Sequence, residues 1–463
     1  VGESGQTRPS SGAAGALFAL AYFLLASLLA LSYTWPLASD ISGAVFGFPG
    51  GAGMSGLSGE TLPGPSGVLR AALSEALDDA ASFNITKLLN FPLLALASFS
   101  LLFYLTGDRG TSAVFGLAAA FSPFHTSHIT AHSAGIYWLP LSFLFILKTL
   151  REGGYANPVL LGLVSGLLAV EAPSFGLFFM LLVPVFVLFH LPNKSGAAYL
   201  LKALALSGPV FSAVVVAMAW PLLLGLLLPV SVGEGLEPRR LSDLFISSAK
   251  PLDYLLPSVH NPFLGWLAPD LGGSPLKGHR YAEHTLYIGY TVLILSGCAL
   301  YKPIRDGSRE MRRTAFLFLA AALLMVLVSS PPFMPLGALE MNIEEGTASA
   351  ESKILLPQYL LFKVFPFIRG YAGAGGAAML SFTVLAAIGF SALFGRSRRK
   401  NSALACAALL LAVEFADFPA FRITRPPLEK SERLETRNAA PGTADLQGTG
   451  AGLTEDEFSL SFK

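Results

Sequence analysis

KPIRDGSREMRRTAFLFLAAALLMVLVSS, residues 302–330, is the stretch that decides the fold. Its first half carries Lys302, Arg305, Arg309, Arg312 and Arg313, and from Thr314 to Ser330 it carries no charge. A short basic connection followed by an uncharged apolar run reads as a helix entering a bilayer from the cytoplasmic side.

The same alternation recurs along the chain. Apolar segments fall at 15–34, 88–106, 111–124, 134–150, 158–171, 174–191, 199–229, 284–301, 314–330, 373–395 and 402–417, which predicts about eleven transmembrane helices. The chain is 53% hydrophobic and 13% charged, against roughly 25% charged in soluble domains. Lipid demands that every backbone polar group be paired within the protein. Strand-type alternation is absent, so the fold class is an all-α polytopic bundle and not a barrel. The third and fifth segments are short for a hydrocarbon core that needs about 20 residues. Pro209 and Pro221 are expected to kink the seventh.

Charge sets the orientation. Arg109, Lys148 with Arg151, Lys194, the 302–313 cluster, and Arg396, Arg398, Arg399 and Lys400 all fall on one side if the spans alternate. That side is the cytoplasm, and it takes the N-terminus. The plasma (inner) membrane is the expected location. The other side receives loops 35–87, 230–283 and 331–372 and the C-terminal tail. Residues 1–428 read as one multi-span domain. Residues 429–463 are polar and Gly/Ala/Thr-rich and are expected to be disordered. Within loop 35–87, Leu69, Leu73 and Leu77 recur at helical spacing, the pattern of an amphipathic helix on the outer membrane surface. The apolar content of loop 230–283 implies packing onto the bundle or the membrane.

Other features exclude function classes. A net charge of +1 gives no footprint for nucleic acid. Cys298 and Cys406 lie inside apolar segments and offer no disulfide framework. The first apolar run is long enough to stay in the membrane, so no cleaved signal is expected. The chain opens on Val, as a fragment or an alternative start would. The cytoplasmic loops are too short for a nucleotide-sugar domain, and no Rossmann-type glycine pattern occurs there.

Several stretches occur in order: Ala120-Phe-Ser-Pro-Phe-His with His128 and His132, Tyr137-Trp-Leu-Pro-Leu, Ser242-Asp-Leu-Phe, Tyr254-Leu-Leu-Pro-Ser with His260-Asn-Pro, Glu283-His-Thr-Leu-Tyr-Ile-Gly-Tyr, and Phe365-Pro-Phe-Ile-Arg-Gly-Tyr-Ala. The set resembles bacterial and archaeal members of the C-type (GT-C fold) glycosyltransferase superfamily, over roughly residues 15–425. The resemblance implies a helix bundle with catalytic loops outside and a polyprenyl-phosphate sugar as donor. It implies membrane lipids and that lipid-linked sugar as partners, with no cofactor. Two departures stand out. Relatives carry an acid soon after a Pro-Gly pair in the first outer loop, whereas Pro49-Gly50 is followed by none. Relatives carry a second Arg where Ala372-Gly373 follows Arg369-Gly-Tyr. Either a divergent enzyme or an inactive relative fits these changes.

The candidate residues follow from chemistry and position. Glycosyl transfer by inversion needs a base for the acceptor hydroxyl. Asp40, the first acid after span one, is the candidate, with Glu60 behind it; an ordinary interfacial acid is the plainer reading. His125, His128 and His132 sit at i, i+3 and i+7. One helix face would suit a substrate-binding patch, or a metal, although no neighbouring acid or Cys completes a ligand set. Structural hydrogen bonding at a helix end is the alternative. Glu171 is expected to face a cavity or an outer vestibule, because lipid burial would be costly. Glu283 and His284 open the eighth span and could aim at an outer cavity or stabilise a helix N-terminus. Arg369 offers a planar fork for a lipid-linked phosphate, or snorkels at the interface. Arg239, Arg240, Lys250, Lys277 and Arg280 are secondary candidates for that phosphate. Asn84-Ile-Thr fits a glycosylation acceptor.

The expected function is transfer of a sugar from a polyprenyl-phosphate donor on the extracytoplasmic face. The alternatives are a non-catalytic scaffold of the same fold, and a transporter or lipid flippase. The ionisable residues cluster at outer ends and no repeat is visible, which speaks against a transporter.

Overall fold

Continuous apolar composition makes helices, and each of the eleven apolar segments contains one. The computed structural model describes residues 13–42, 45–47, 64–128, 135–152, 154–190, 194–227, 240–268, 285–306, 309–336, 339–342, 347–350, 352–364, 371–416 and 422–424. These lie within one compact unit, Val1–Thr424. The helices are α1 (Ala13–Tyr33), α2 (Trp35–Ala38), α3 (Pro65–Ser74), α4 (Asp79–Leu88), α5 (Asn90–Thr106), α6 (Arg109–Ala120), α7 (Pro123–His128), α8 (Trp138–Glu152) and α9 (Ala156–Glu171). They continue as α10 (Pro173–His190), α11 (Lys194–Leu227), α12 (Leu241–Ile246), α13 (Tyr290–Asp306), α14 (Arg309–Ser329), α15 (Pro357–Val364), α16 (Ala374–Phe394) and α17 (Lys400–Glu414).

Five helical stretches among the described residues are long and apolar enough to cross a membrane: Ala13–Tyr33, Asp79–Thr106, Pro173–His190, Arg309–Ser329 and Tyr371–Phe394. This is the build of a multi-pass membrane protein. Ala156–Glu171, Lys202–Met218 and Tyr290–Tyr301 are apolar but shorter, so eleven full crossings do not follow from length. α11 runs helical for 34 residues through both Pro209 and Pro221. The segment at 284–301 is corrected: its helix starts at Tyr290. Gly289 has φ +92, and the Ile288 N–H bonds the Tyr254 carbonyl at 3.1 Å, which keeps the preceding chain out of the helix. The segment at 111–124 divides near Phe121 into α6 and α7.

α16 lies at the centre, and nearly all of it is buried. Its small residues let neighbours approach, as close helix contact in lipid requires. A Cβ on Gly389 would strike the Leu295 carbonyl of α13, and one on Gly376 would strike the Phe124 ring. Ser296 on α13 donates to the Phe382 carbonyl of α16 at 3.0 Å. On α9, Gly162 and Gly166 meet Ser207, Val210 and Val214 of α11 in the same way. α1 instead exposes Leu17, Leu20, Leu24, Leu25 and Leu28, the face a lipid-bathed helix would carry.

The two ends of the bundle differ. At the basic end, Lys400 pairs with Asp108 at 2.7 Å. Burial pushes the Asp108 carboxyl up, but hydrogen bonds from Lys400 and Thr111 outweigh it and hold it low. Arg151 lies 3.6 Å from Glu310 and donates to Thr314 at 2.6 Å and to His190 at 3.4 Å. The basic connections therefore touch one another, as a common side requires. At the far end the connections are long. β1 (Val45–Gly47), from the first of them, pairs antiparallel with β6 (Arg422–Thr424), beyond α17. Between α14 and α15, β2 (Phe333–Pro335) pairs with β5 (Lys353–Leu355) and β3 (Leu339–Asn342) with β4 (Thr347–Ala350), both antiparallel. The amphipathic stretch is helical only as far as Ser74, and Leu69 and Leu77 stay exposed.

Candidate functional site

The far end of α9 carries a heavily bonded carboxylate. Glu171 is 8% exposed. Its Oε2 accepts from Trp138 Nε1 at 2.7 Å and from the Tyr137 hydroxyl at 3.0 Å, and its Oε1 accepts from the Ser66 backbone N–H at 2.5 Å. Ser66 lies in the first turn of α3, where orphan N–H groups and the helix dipole favour an anion. Gly64 (φ +106) and Gly135 (φ +83) both lie against this side chain, and a Cβ at either would overlap it. The expected open vestibule is thus corrected. Glu171 joins the first far-end loop, the turn before α8 and the α9–α10 corner, because burial of its charge requires donors on every side.

Asp40 lies beyond α2 and is partly exposed. Its N–H bonds the Leu37 carbonyl at 3.1 Å, and the adjoining Ile41 carbonyl accepts from Asn84 Nδ2 at 2.8 Å. Asn84 is fully buried, so the glycosylation reading of Asn84-Ile-Thr fails: its amide holds the Asp40 segment onto α4. Asp78 caps α4 by accepting from the Ala81 N–H at 2.7 Å, and that backbone bond lowers its carboxyl. Phe83, also on α4, has Arg70 and Lys87 each 5.3 Å from its ring centroid. α4 therefore holds the Asp40 segment through Asn84 and carries Phe83 against Arg70 and Lys87. Sequence reasoning missed the cations, because no periodicity links position 70 to position 87.

The two described histidines share α7 but differ in burial, and each ring bonds a backbone carbonyl. His125 is buried, with Nδ1 donating to the Ala120 carbonyl at 2.6 Å. Its Nε2 has no partner among the described residues and borders a small cavity with Ser122, Ile136, Gly376 and Thr383. His128 is partly exposed, stacks on Phe124 at 4.1 Å, and has Nδ1 within 2.9 Å of the Phe124 carbonyl. α7 is six residues long and holds both His125 and His128. No group of three or more metal-ligating side chains occurs among the described residues.

A second clamp lies at the ends of α13 and α17. The Thr291 N–H and hydroxyl donate to Glu414 Oε1 at 3.0 and 2.9 Å. Gly289 again leaves room for the carboxylate. Nearby, the Tyr254 hydroxyl meets Ser329 at 2.5 Å, and Ser248 donates to Gln358 at 3.0 Å. Lys250 is buried: its Nζ donates to the Phe245 carbonyl at 2.8 Å and lies 4.2 Å from that ring. Burial pushes the ammonium down to about 8, against the opposing pull of Asp253. Lys250 is thus engaged internally and is corrected as a phosphate candidate. Glu60, His132, Glu283, His284 and Arg369 lie outside the described residues, as do Arg239, Lys277 and Arg280.

No family model and no curated protein matches the chain. The chain resembles a solved structure. This is the arabinofuranosyltransferase AftD from mycobacteria, at 14% identity and a TM-score of 0.49 over 92% of this chain. The chain spans 30% of that protein's length.

Proposed function

We propose that this chain is a membrane glycosyltransferase. It transfers a sugar from a polyprenyl-phosphate donor to an acceptor at the face away from the basic connections. The observation that carries this reading is the asymmetry of the bundle. Asp40, Glu171, Glu414, His125 and His128 lie at the far end with the long docked connections, while the basic end has short turns tied by ion pairs. A soluble nucleotide-sugar donor would need a domain on the basic side. A lipid-linked donor needs only a far-end cleft open to the membrane.

In this reading Asp40, held on α4 by Asn84, takes the proton of the acceptor hydroxyl. The acceptor oxygen then bonds the anomeric carbon as the bond from that carbon to the phosphate oxygen breaks. The polyprenyl phosphate leaves with the electron pair. Arg70, and Arg369 with its planar fork, supply positive charge for the phosphate. Glu60, His128, His132, Glu283 and His284 are further contacts to substrate. Glu171 positions Tyr137 and Trp138.

The test is incubation of the purified protein in lipid nanodiscs with polyprenyl-phosphate sugars. Release of polyprenyl phosphate that depends on an added acceptor supports the reading. Failure across pentose and hexose donors, with donor binding retained, favours a non-catalytic scaffold.

A further inference from the structure

Residues 255–267 read Leu-Leu-Pro-Ser-Val-His-Asn-Pro-Phe-Leu-Gly-Trp-Leu, with no Asp, Glu, Lys or Arg. The turn nevertheless exposes apolar side chains: Val259 at 53%, Phe263 at 56% and Trp266 at 78%. It is also preformed. Asn261 Oδ1 accepts from the N–H groups of Phe263 and Leu264 at 2.9 and 2.8 Å. Its Nδ2 donates to the carbonyls of Val413 and Glu414 at 3.1 and 2.9 Å. A Cβ on Gly265 would crowd the Val259 carbonyl. The Trp266 indole N–H bonds the Phe263 carbonyl at 2.9 Å. The one polar atom of that side chain is thus satisfied internally, and what it presents outward is apolar.

The place of the turn indicates what covers it. Asn261 fixes it to the end of α17, where Leu409 and Leu410 are exposed. Glu414 joins that end to the start of α13, where Tyr290 and Ile294 are exposed. These are apolar helix surfaces of the kind lipid covers, and aromatic side chains collect at the depth where such helices meet the headgroups. We propose that this turn is an interfacial anchor. Val259, Phe263 and Trp266 enter the bilayer leaflet on the side away from the basic connections, between the outer ends of α13 and α17. Because Asn261 preforms the turn, insertion orders little further chain. The inference is independent of any catalytic activity.

The test uses full-length protein in phosphatidylcholine/phosphatidylglycerol vesicles, with Cys298 and Cys406 replaced by Ala. Nitroxide labels are attached at Val259→Cys, Trp266→Cys and, as a reference on an exposed position of β4, Ser349→Cys. Collisions with oxygen, which partitions into lipid, are compared with those of a water-soluble nickel chelate. The expected oxygen-to-nickel ratio is several-fold higher at 259 and 266 than at 349. Nickel-dominated collisions at 259 and 266 overturn the proposal by placing the turn in water. Protection from both reagents overturns it by placing the turn against protein. Should Trp266→Cys fail to fold, Val259→Cys reads the same surface.

Discussion

Trp138 donates its indole N–H to the Glu171 carboxylate at 2.7 Å, so the start of α8 and the end of α9 are joined through one buried charge. Ser66 and Tyr137 converge on the same carboxylate. Charge-assisted bonds of this kind contribute about 1.5–3 kcal/mol each, and donors left unpaired by its removal add to the loss. Glu171→Ala is expected to lower the thermal midpoint in detergent more than Trp138→Phe does. The double variant should fall short of the sum, because both remove one shared bond. Additive losses would show that the two residues are not coupled.

Gly135→Ala should also destabilise, since φ +83 disfavours an L side chain and the new Cβ meets Glu171. In the Glu171→Ala background the steric part of that loss should shrink. Thermal melts of the three variants check this.

Lys250 gives a pH signature. The folded ammonium titrates near 8, and a free Lys near about 10.4. Between these values the unfolded chain binds more protons, so stability rises with pH. Below about 8 both states are protonated and the whole cost of burial stands. Relative to Lys250→Met, the wild type should gain about 3 kcal/mol as pH rises from 8 to above 10. A constant gap between the two melting curves over that range would show that Lys250 is not held charged in a buried site.

Orientation is testable by labelling. With Cys298 and Cys406 replaced by Ala, Ser349→Cys should react with an impermeant thiol reagent in intact cells, and Ser397→Cys should react only after lysis. The contacts of Lys400 with Asp108 and of Arg151 with Glu310 gather the basic connections on one side, which positive charge places in the cytoplasm. Labelling at 397 with silence at 349 would invert the topology.

The helices were legible because an apolar run such as 374–394 has one way to satisfy its backbone in lipid. Their ends were less so. The apolar text runs on through Leu286-Tyr-Ile-Gly-Tyr, and nothing local says that Gly289 takes a positive φ and delays α13 to Tyr290. The site was legible only in residue types. Asp40 and Glu171 stood out as acids at span ends, but Glu171 finds its donors on segments 33 to 105 positions away. Glu414 was passed over altogether, and its partner Thr291 lies 123 positions off. Long-range pairings of this kind leave no periodicity to read. Lys250 was taken for an available cation for the same reason: its burial depends on Phe245 and on the packing of Phe245 against Phe333.

The most direct measurement is acceptor-dependent release of polyprenyl phosphate by wild type and Asp40→Asn, with donor binding followed in parallel. Asp40→Asn keeps the side chain's shape and removes its basicity. The account predicts unchanged folding and donor binding with transfer reduced by roughly 10²–10⁴, the scale of general-base catalysis. Normal transfer by Asp40→Asn would contradict the role given to Asp40, and absence of transfer by the wild type with bound donor would contradict the enzyme itself.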